Sequence, residues 1–69
     1  MPTIDETKTK VRARLLSMVV PGDDGKPERL DEEYADRLMS IFAGYIEECH
    51  NAGIAPDAIA NRLWTEDNC

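Results

Sequence analysis

Cys49 and His50 are the side chains best suited to nucleophilic or metal chemistry in this 69-residue sequence. A cysteine nucleophile needs a base within hydrogen-bonding distance of its thiol. Neighbouring residues of a helix point about 100° apart, so Cys49 and His50 do not form a thiolate–imidazole pair by themselves. Cys49 falls on an apolar face, where small buried thiols are common, and His50 falls in a last helical turn that favours positive charge. We therefore interpret both residues as structural and expect no enzymatic activity.

A metal site built around this pair would need further ligands. Glu47, Cys49, His50 and Cys69 together provide four donor groups, but no C-x-x-C or H-x-x-x-H spacing is present. We predict no metal and no cofactor. A disulfide between Cys49 and Cys69 is the alternative in an oxidising compartment.

The segment 21–29, PGDDGKPER, combines glycines with carboxylates. Its negative charge would repel phosphate, and it lacks the twelve-residue ligand pattern of a calcium loop. The dipeptide Asp24-Gly25 is a turn signal that would also suit a short hairpin, but no alternating apolar runs flank it. We therefore predict an acidic Pro/Gly loop that connects two helices.

Charge is unevenly distributed along the chain. Residues 1–20 carry a net charge of +2 and residues 21–69 a net charge of −8, which gives −6 overall. An acidic body is repelled by nucleic acid and by anionic lipid. No apolar run approaches the ~20 residues of a membrane span, and charges interrupt the region where a signal peptide would be apolar. We expect a cytoplasmic protein with reduced thiols and no membrane partner.

Helix start and stop signals divide the chain into three helices. Thr3 and Asp31 are N-cap residues, Pro56 suits a first helical turn, and Gly53 can adopt the left-handed conformation that ends a helix. The predicted fold is one small all-α domain with a frayed C-terminal tail. The helices cover residues of about 4–20, 31–52 and 56–64, and the tail covers 65–69.

The central helix organises this prediction, because it carries most of the large apolar side chains. These residues share an arc of roughly 160° on a helical wheel. They are Tyr34, Ala35, Leu38, Met39, Ile41, Phe42, Tyr45, Ile46 and Cys49. So wide an arc needs two neighbours, either the flanking helices or one of them plus a second copy. Basic side chains of the first helix are expected to reach the acidic surface of the central one. They are Lys8, Lys10, Arg12 and Arg14.

The most distinctive feature is an acidic cluster with a net charge of −5 between positions 23 and 36. Its members are Asp23, Asp24, Glu28, Asp31, Glu32, Glu33 and Asp36. A solvated loop and the first turn of a helix would account for these carboxylates structurally. A surface that attracts a basic partner is the functional alternative, with Trp64 as either a lid on the core or an interface anchor.

Segment 52–64, AGIAPDAIANRLW, resembles part of a helix-turn-helix. A DNA-reading unit needs a basic recognition helix after such a segment, and only five residues follow Trp64. DNA binding is therefore the weakest of the functional hypotheses, and nucleic acid is a poor default partner.

The preferred hypothesis is a non-enzymatic protein-interaction module, an acidic inhibitor or regulator that binds a basic surface of another protein. Its size and acidity are similar to those of small phage and mobile-element proteins, although no motif identifies a family. The alternative is a structural homodimer formed through the central helix. The predicted fold and the acidic-surface hypothesis both assume that residues 30–53 form one unbroken helix.

Overall fold

A computed structural model describes residues 3–68 of the chain. The fold is mostly helical, as predicted, but it contains four helices and a two-stranded antiparallel sheet within those residues. The elements are α1 Ile4–Ser17, β1 Val19–Pro21, β2 Pro27–Arg29, α2 Glu32–Ile41, α3 Ala43–Asn51 and α4 Pro56–Asp67. The prediction of three helices was therefore wrong.

Helix α1 begins at the predicted cap and ends earlier than predicted. The Thr3 hydroxyl accepts a hydrogen bond from the Glu6 amide at 3.2 Å, as expected of an N-cap. Met18 leaves the helix with φ −71° and ψ 139°, which is an extended conformation. Val19 and Val20 then enter β1 rather than a last helical turn. Their β-branched side chains suit a strand better than a helix end.

The connection between α1 and α2 is a β-hairpin and not an irregular loop, which corrects the sequence prediction. Val19 pairs with Arg29, Val20 with Glu28 and Pro21 with Pro27. The residues of both strands are exposed or half-buried. Neither face of the hairpin is buried in the core, so no alternation of apolar and polar residues marks the strands in the sequence. The pairing therefore depends on the turn more than on a buried face.

The hairpin turn is fixed by main-chain and side-chain hydrogen bonds. The Lys26 amide donates to Asp24 Oδ1 at 3.0 Å, and the Gly22 amide donates to the Lys26 carbonyl at 2.8 Å. Gly25 adopts φ +78°, a conformation that residues with a side chain rarely adopt. Asp24 and Gly25 thus perform the turn function that their sequence signal indicated.

The central helix is interrupted at Phe42, so the unbroken helix predicted for residues 31–52 is wrong. Phe42 has φ −101° and ψ +21°, well away from helical values. The interruption is one residue long, because the Phe42 amide still donates to the Leu38 carbonyl and its carbonyl accepts from the Ile46 amide. Gly44, a weak helix former, follows two residues later.

Side chains from both sides of the interruption are buried in one cluster. Leu38 of α2 and Ile46 of α3 lie in the same core as Val11 and Leu15 of α1. The apolar pattern of the sequence runs through the interruption without marking it.

The hydrophobic core lies where α1 contacts the other three helices. Its buried members come from all four helices and include four of the nine residues of the predicted apolar arc. They are Val11, Leu15, Ala35, Leu38, Ile46, Cys49, Ile59, Ala60 and Leu63. Ile41, predicted to share the buried arc, is 57% exposed. Part of the predicted apolar arc is therefore exposed to solvent.

Helices α3 and α4 are joined by the predicted glycine cap. Gly53 has φ +79°, the Gly53 amide donates to the His50 carbonyl, and the Ile54 amide donates to the Cys49 carbonyl. This is the Schellman arrangement of a helix end. Pro56 begins α4 as predicted, but the helix continues to Asp67, three residues beyond the predicted end at Trp64. Among the described residues, no helix has both the length and the apolar character to cross a membrane.

Candidate protein-binding cleft

A cleft of about 390 Å³ opens between the hairpin, the start of α2 and the end of α4. Carboxylates dominate its charge, since four acidic residues line it against one arginine. The four are Asp23, Glu28, Asp31 and Asp67, and the arginine is Arg29. Apolar and aromatic residues complete the lining. They include Val20, Pro21, Leu30, Tyr34 and Trp64. We call this the acidic cleft.

Two half-buried aromatic residues give the acidic cleft its apolar surface. Trp64 belongs to α4 and lies next to the buried Leu63, while Tyr34 belongs to the first turn of α2. The Tyr34 hydroxyl donates a hydrogen bond of 2.6 Å to Asp67 Oδ2. This bond joins the beginning of α2 to the last turn of α4, so both aromatic residues are held on fixed elements.

The environment of Tyr34 stabilises its protonated form. Burial raises the pKa of Tyr34, and the hydrogen bond to Asp67 raises it further, while Asn68 has a smaller opposite effect. The phenol therefore remains a hydrogen-bond donor at neutral pH. Asp67 keeps its negative charge while it accepts this bond, so all four lining carboxylates contribute to the anionic character of the cleft.

Asp31 and Asp24 have structural roles within the acidic cluster. Asp31 Oδ1 accepts a hydrogen bond of 2.7 Å from the Tyr34 amide and so caps α2. Asp24 Oδ1 accepts from the Lys26 amide in the hairpin turn. Both side chains remain exposed, so each retains lone pairs that can face solvent or a ligand. Each of these two carboxylates therefore has a structural role, because it accepts a hydrogen bond from a main-chain amide.

Asp36 is engaged on another part of the surface. Its Oδ1 accepts a hydrogen bond of 2.7 Å from Arg12 Nε, which is the one ion pair within residues 3–68. This bond raises the pKa of the Arg12 guanidinium. Arg12 therefore reaches the acidic surface of α2 as expected. Lys10 and Arg14 instead line a second cleft, of about 500 Å³, beside the start of α4.

The structure brings together half of the predicted partner-binding residues. Asp23, Glu28, Asp31 and Trp64 line the acidic cleft. Glu33 lines a shallow depression of about 180 Å³ that shares Asp31 and Tyr34 with the cleft. The others do not line either hollow. They are Asp24, Glu32 and Asp36.

Sequence reasoning missed Tyr34, Asp67 and Arg29 as members of this site. Tyr34 was assigned to the buried arc, Asp67 to a frayed tail and Arg29 to a loop. A helix extended by one turn and a paired strand are what place them together. The Asp24-Gly25 turn signal was compatible with a hairpin, whereas no local signal marked the extra turn of α4.

Cys49 and His50 form no reactive pair in the described structure. Cys49 is a free thiol that is 4% exposed and lies in the core. His50 Nδ1 is hydrogen-bonded to the Thr7 hydroxyl at 2.8 Å. No group of three or more metal-binding side chains occurs within residues 3–68. The alternative disulfide and metal site involve Cys69, which lies outside the described residues.

No protein family, curated protein or solved structure matches this chain. The acidic cleft is the feature in which half of the sequence candidates coincide with aromatic side chains and additional carboxylates.

Proposed function

We propose that the protein is a non-enzymatic protein-interaction module that binds a basic segment of a partner protein in the acidic cleft, and so acts as an inhibitor or regulator of that partner. The observation that supports this is the convergence of four carboxylates and two aromatic side chains on a hollow of about 390 Å³. Its lining, an apolar and aromatic surface with charged residues around it, is of the kind found at protein–protein interfaces.

The chemistry of the lining favours a lysine or arginine side chain. Asp23 and Glu28 can accept charge-assisted hydrogen bonds, and a guanidinium can stack on the face of Trp64. The overall charge of −6 would speed the approach of a basic surface.

Affinity should depend more on Trp64 than on any one carboxylate. An exposed ion pair contributes only ~0.2–1 kcal/mol, whereas a tryptophan buried at the centre of an interface can contribute 2 kcal/mol or more, to order of magnitude. Trp64 is half-buried in the free protein, so a partner could cover the rest of its ring. This makes Trp64 the expected anchor and the carboxylates the source of orientation and charge selectivity.

The acidic-surface hypothesis drawn from the sequence assumed one unbroken helix over residues 30–53, and that assumption is wrong. The present proposal is based instead on the cleft. The acidic cleft uses only the first turn of α2, together with the hairpin and the end of α4. The interruption at Phe42 lies in a different part of the molecule and leaves these elements in place. A cytoplasmic location, inferred from the absence of secreted-type cysteine spacing, belongs to the same proposal.

A labelled oligo-arginine peptide is a suitable probe, with titration followed by amide chemical shifts of the ¹⁵N-labelled protein. We expect the largest shifts at the Trp64 indole and at residues of β2. Two variants with the same change in net charge provide the matched comparison. Asp23→Asn/Glu28→Gln removes two cleft carboxylates, whereas Glu32→Gln/Glu47→Gln removes two exposed carboxylates that lie outside the cleft.

The cleft variant should weaken peptide binding about tenfold and the control variant about twofold or less. Trp64→Ala should weaken it at least as much as the cleft variant, and circular dichroism should show that this variant keeps the helicity of the natural chain. Equal weakening by both charge variants would show that the peptide responds to net charge alone, and would reject the cleft as the binding site.

A further inference from the structure

The Glu28 carboxylate lies directly over the backbone of Gly22. A Cβ atom at position 22 would be 2.6 Å from Glu28 Cδ, and 2.8 and 2.9 Å from the two carboxylate oxygens. These distances are too short for a real Cβ atom, so a residue with a side chain fits at position 22 only if the Glu28 carboxylate moves. Both residues line the acidic cleft. The missing side chain of Gly22 therefore provides the space in which this carboxylate lies.

The register of the hairpin explains this contact. Val20 pairs with Glu28, and residues two positions apart on a strand point to the same face of a sheet. Gly22 is therefore the diagonal neighbour of Glu28 on that face, within reach of a long side chain. The Gly22 amide donates to the Lys26 carbonyl at 2.8 Å, so the main chain at position 22 is held by the same hairpin that carries Glu28.

The carboxylate lies face-on over Gly22. Its carbon is the nearest of the three atoms and the two oxygens are almost equally distant, whereas an approach through the oxygens would place one or both of them nearer than the carbon. Hydrogen-bond donors approach a carboxylate in its plane, and in this orientation the plane runs alongside the backbone at position 22 and is not blocked by it. Glu28 is exposed and forms no ion pair within residues 3–68. Both oxygens are thus available to one ligand.

We propose that Gly22 is a positioning residue of the acidic cleft: it allows the Glu28 carboxylate to take the orientation that favours arginine over lysine in the basic segment of the proposed function, on which this inference rests. A guanidinium is planar and donates two parallel hydrogen bonds to the two oxygens of one carboxylate. An ammonium group is a compact point charge, so its binding depends much less on the direction of the carboxylate plane. The preference for arginine is therefore the property that depends on Gly22.

Replacement of Gly22 by alanine separates this effect from charge and from folding. The φ angle of Gly22 is not positive, so alanine can adopt the same backbone conformation. The atoms that an alanine Cβ would meet are at the far end of a flexible, exposed side chain, so Glu28 can rotate away. Gly22→Ala thus displaces one carboxylate while the net charge stays at −6.

Titration with an oligo-arginine peptide and with an oligo-lysine peptide of the same length tests the proposal. Gly22→Ala should weaken binding of oligo-arginine about fivefold and binding of oligo-lysine about twofold or less, so that the preference for arginine decreases. Gly44→Ala is the matched control, because position 44 lies outside the cleft and a Cβ atom there meets open space. This control should leave both affinities unchanged. A nuclear Overhauser effect between Gly22 Hα and Glu28 Hγ should be present in the natural chain without peptide.

Glu28→Gln shows whether alanine at position 22 acts through the carboxylate. Glutamine has a similar size but only one acceptor oxygen, so it cannot accept both parallel bonds. In this background Gly22→Ala should weaken oligo-arginine binding by no more than about twofold. An equal preference for arginine in the natural chain and in Gly22→Ala, or an undiminished loss in the Glu28→Gln background, would overturn the role of Gly22 and leave the proposed function standing. A natural chain that binds neither peptide would reject the proposed function and this role with it.

Discussion

The Tyr34 hydroxyl and the Asp67 carboxylate are joined by a hydrogen bond of 2.6 Å between the first turn of α2 and the last turn of α4. The two residues are 33 positions apart, and this bond closes one side of the acidic cleft. It makes the end of α4 part of the folded domain.

Removing the Tyr34 hydroxyl should weaken this connection. We expect Tyr34→Phe to lower the free energy of unfolding by about 0.5–1 kcal/mol, the lower part of the usual range, because the bond is partly open to solvent. Urea denaturation monitored by circular dichroism would measure the change. Asp67→Asn keeps an acceptor oxygen and should cost less. Equal losses in both variants would show that a neutral acceptor does not sustain the bond and that its contribution depends on the aspartate charge.

Alkaline pH should disrupt the same bond. Burial and the hydrogen bond to Asp67 raise the pKa of Tyr34 above its ordinary value of 10.0. The corresponding stability is fully present below the unfolded pKa, about 10, and is lost as the pH rises through the higher folded pKa. Denaturation midpoints of the natural chain should therefore fall in that window, and those of Tyr34→Phe should fall less. Parallel curves for both proteins would contradict the assignment to Tyr34.

The buried Thr7 should contribute through its hydroxyl as well as its packing. Thr7 is 1% exposed and its Oγ1 is hydrogen-bonded to His50 Nδ1 at 2.8 Å, which links α1 to α3. Thr7→Val keeps the shape but leaves the imidazole nitrogen without this partner. We expect a loss of about 1 kcal/mol in the free energy of unfolding.

A double-mutant cycle separates the hydrogen bond from packing. In a His50→Phe background the partner is already absent, so Thr7→Val should cost clearly less than in the natural chain. Thermal denaturation of the four proteins would give the coupling energy. Additive costs would indicate that the Thr7–His50 bond contributes nothing to stability.

Two glycines should respond in opposite ways to alanine. Gly44 lies inside α3, its φ is not positive, and a Cβ there meets open space, so Gly44→Ala should stabilise the fold by about 0.5–1 kcal/mol. Gly53 has φ +79° and also has open space, so Gly53→Ala should destabilise it by about 1 kcal/mol through backbone strain alone. Urea denaturation of both variants and of the natural chain provides the comparison. Two changes of the same sign would refute the conformational argument.

Local signals predicted the element ends that depend on a single residue. Thr3 and Asp31 cap their helices, Gly53 ends α3, and Pro56 begins α4, because each acts through its own backbone or through an amide three residues away. Such effects do not require knowledge of the tertiary structure.

Features that depend on packing were not predictable from these signals. No proline marks the interruption at Phe42, and the apolar arc continues on both sides of it. The hairpin has no buried alternating face, so its pairing is invisible to a period-two pattern.

The sequence predicted several residues of the candidate site, but it did not predict the cleft that brings them together. Asp23, Glu28, Asp31 and Trp64 were candidates by residue type, and all four line the acidic cleft. Asp36 was also a candidate, but its carboxylate forms an ion pair with Arg12 and does not line the cleft. Distinguishing the two groups requires knowing which segments are neighbours in space.

The prolines of the hairpin have a consequence for how this chain behaves when crowded. Pro21 and Pro27 face each other at the end of the two-stranded ladder, and neither has an amide hydrogen to offer to an incoming strand. Glu28 and Arg29 add charge along the same margin. A short strand bearing proline and charge is a poor template for further strand addition. The hairpin therefore protects the molecule against cross-β aggregation, even though Val19 presents an apolar side chain beside it.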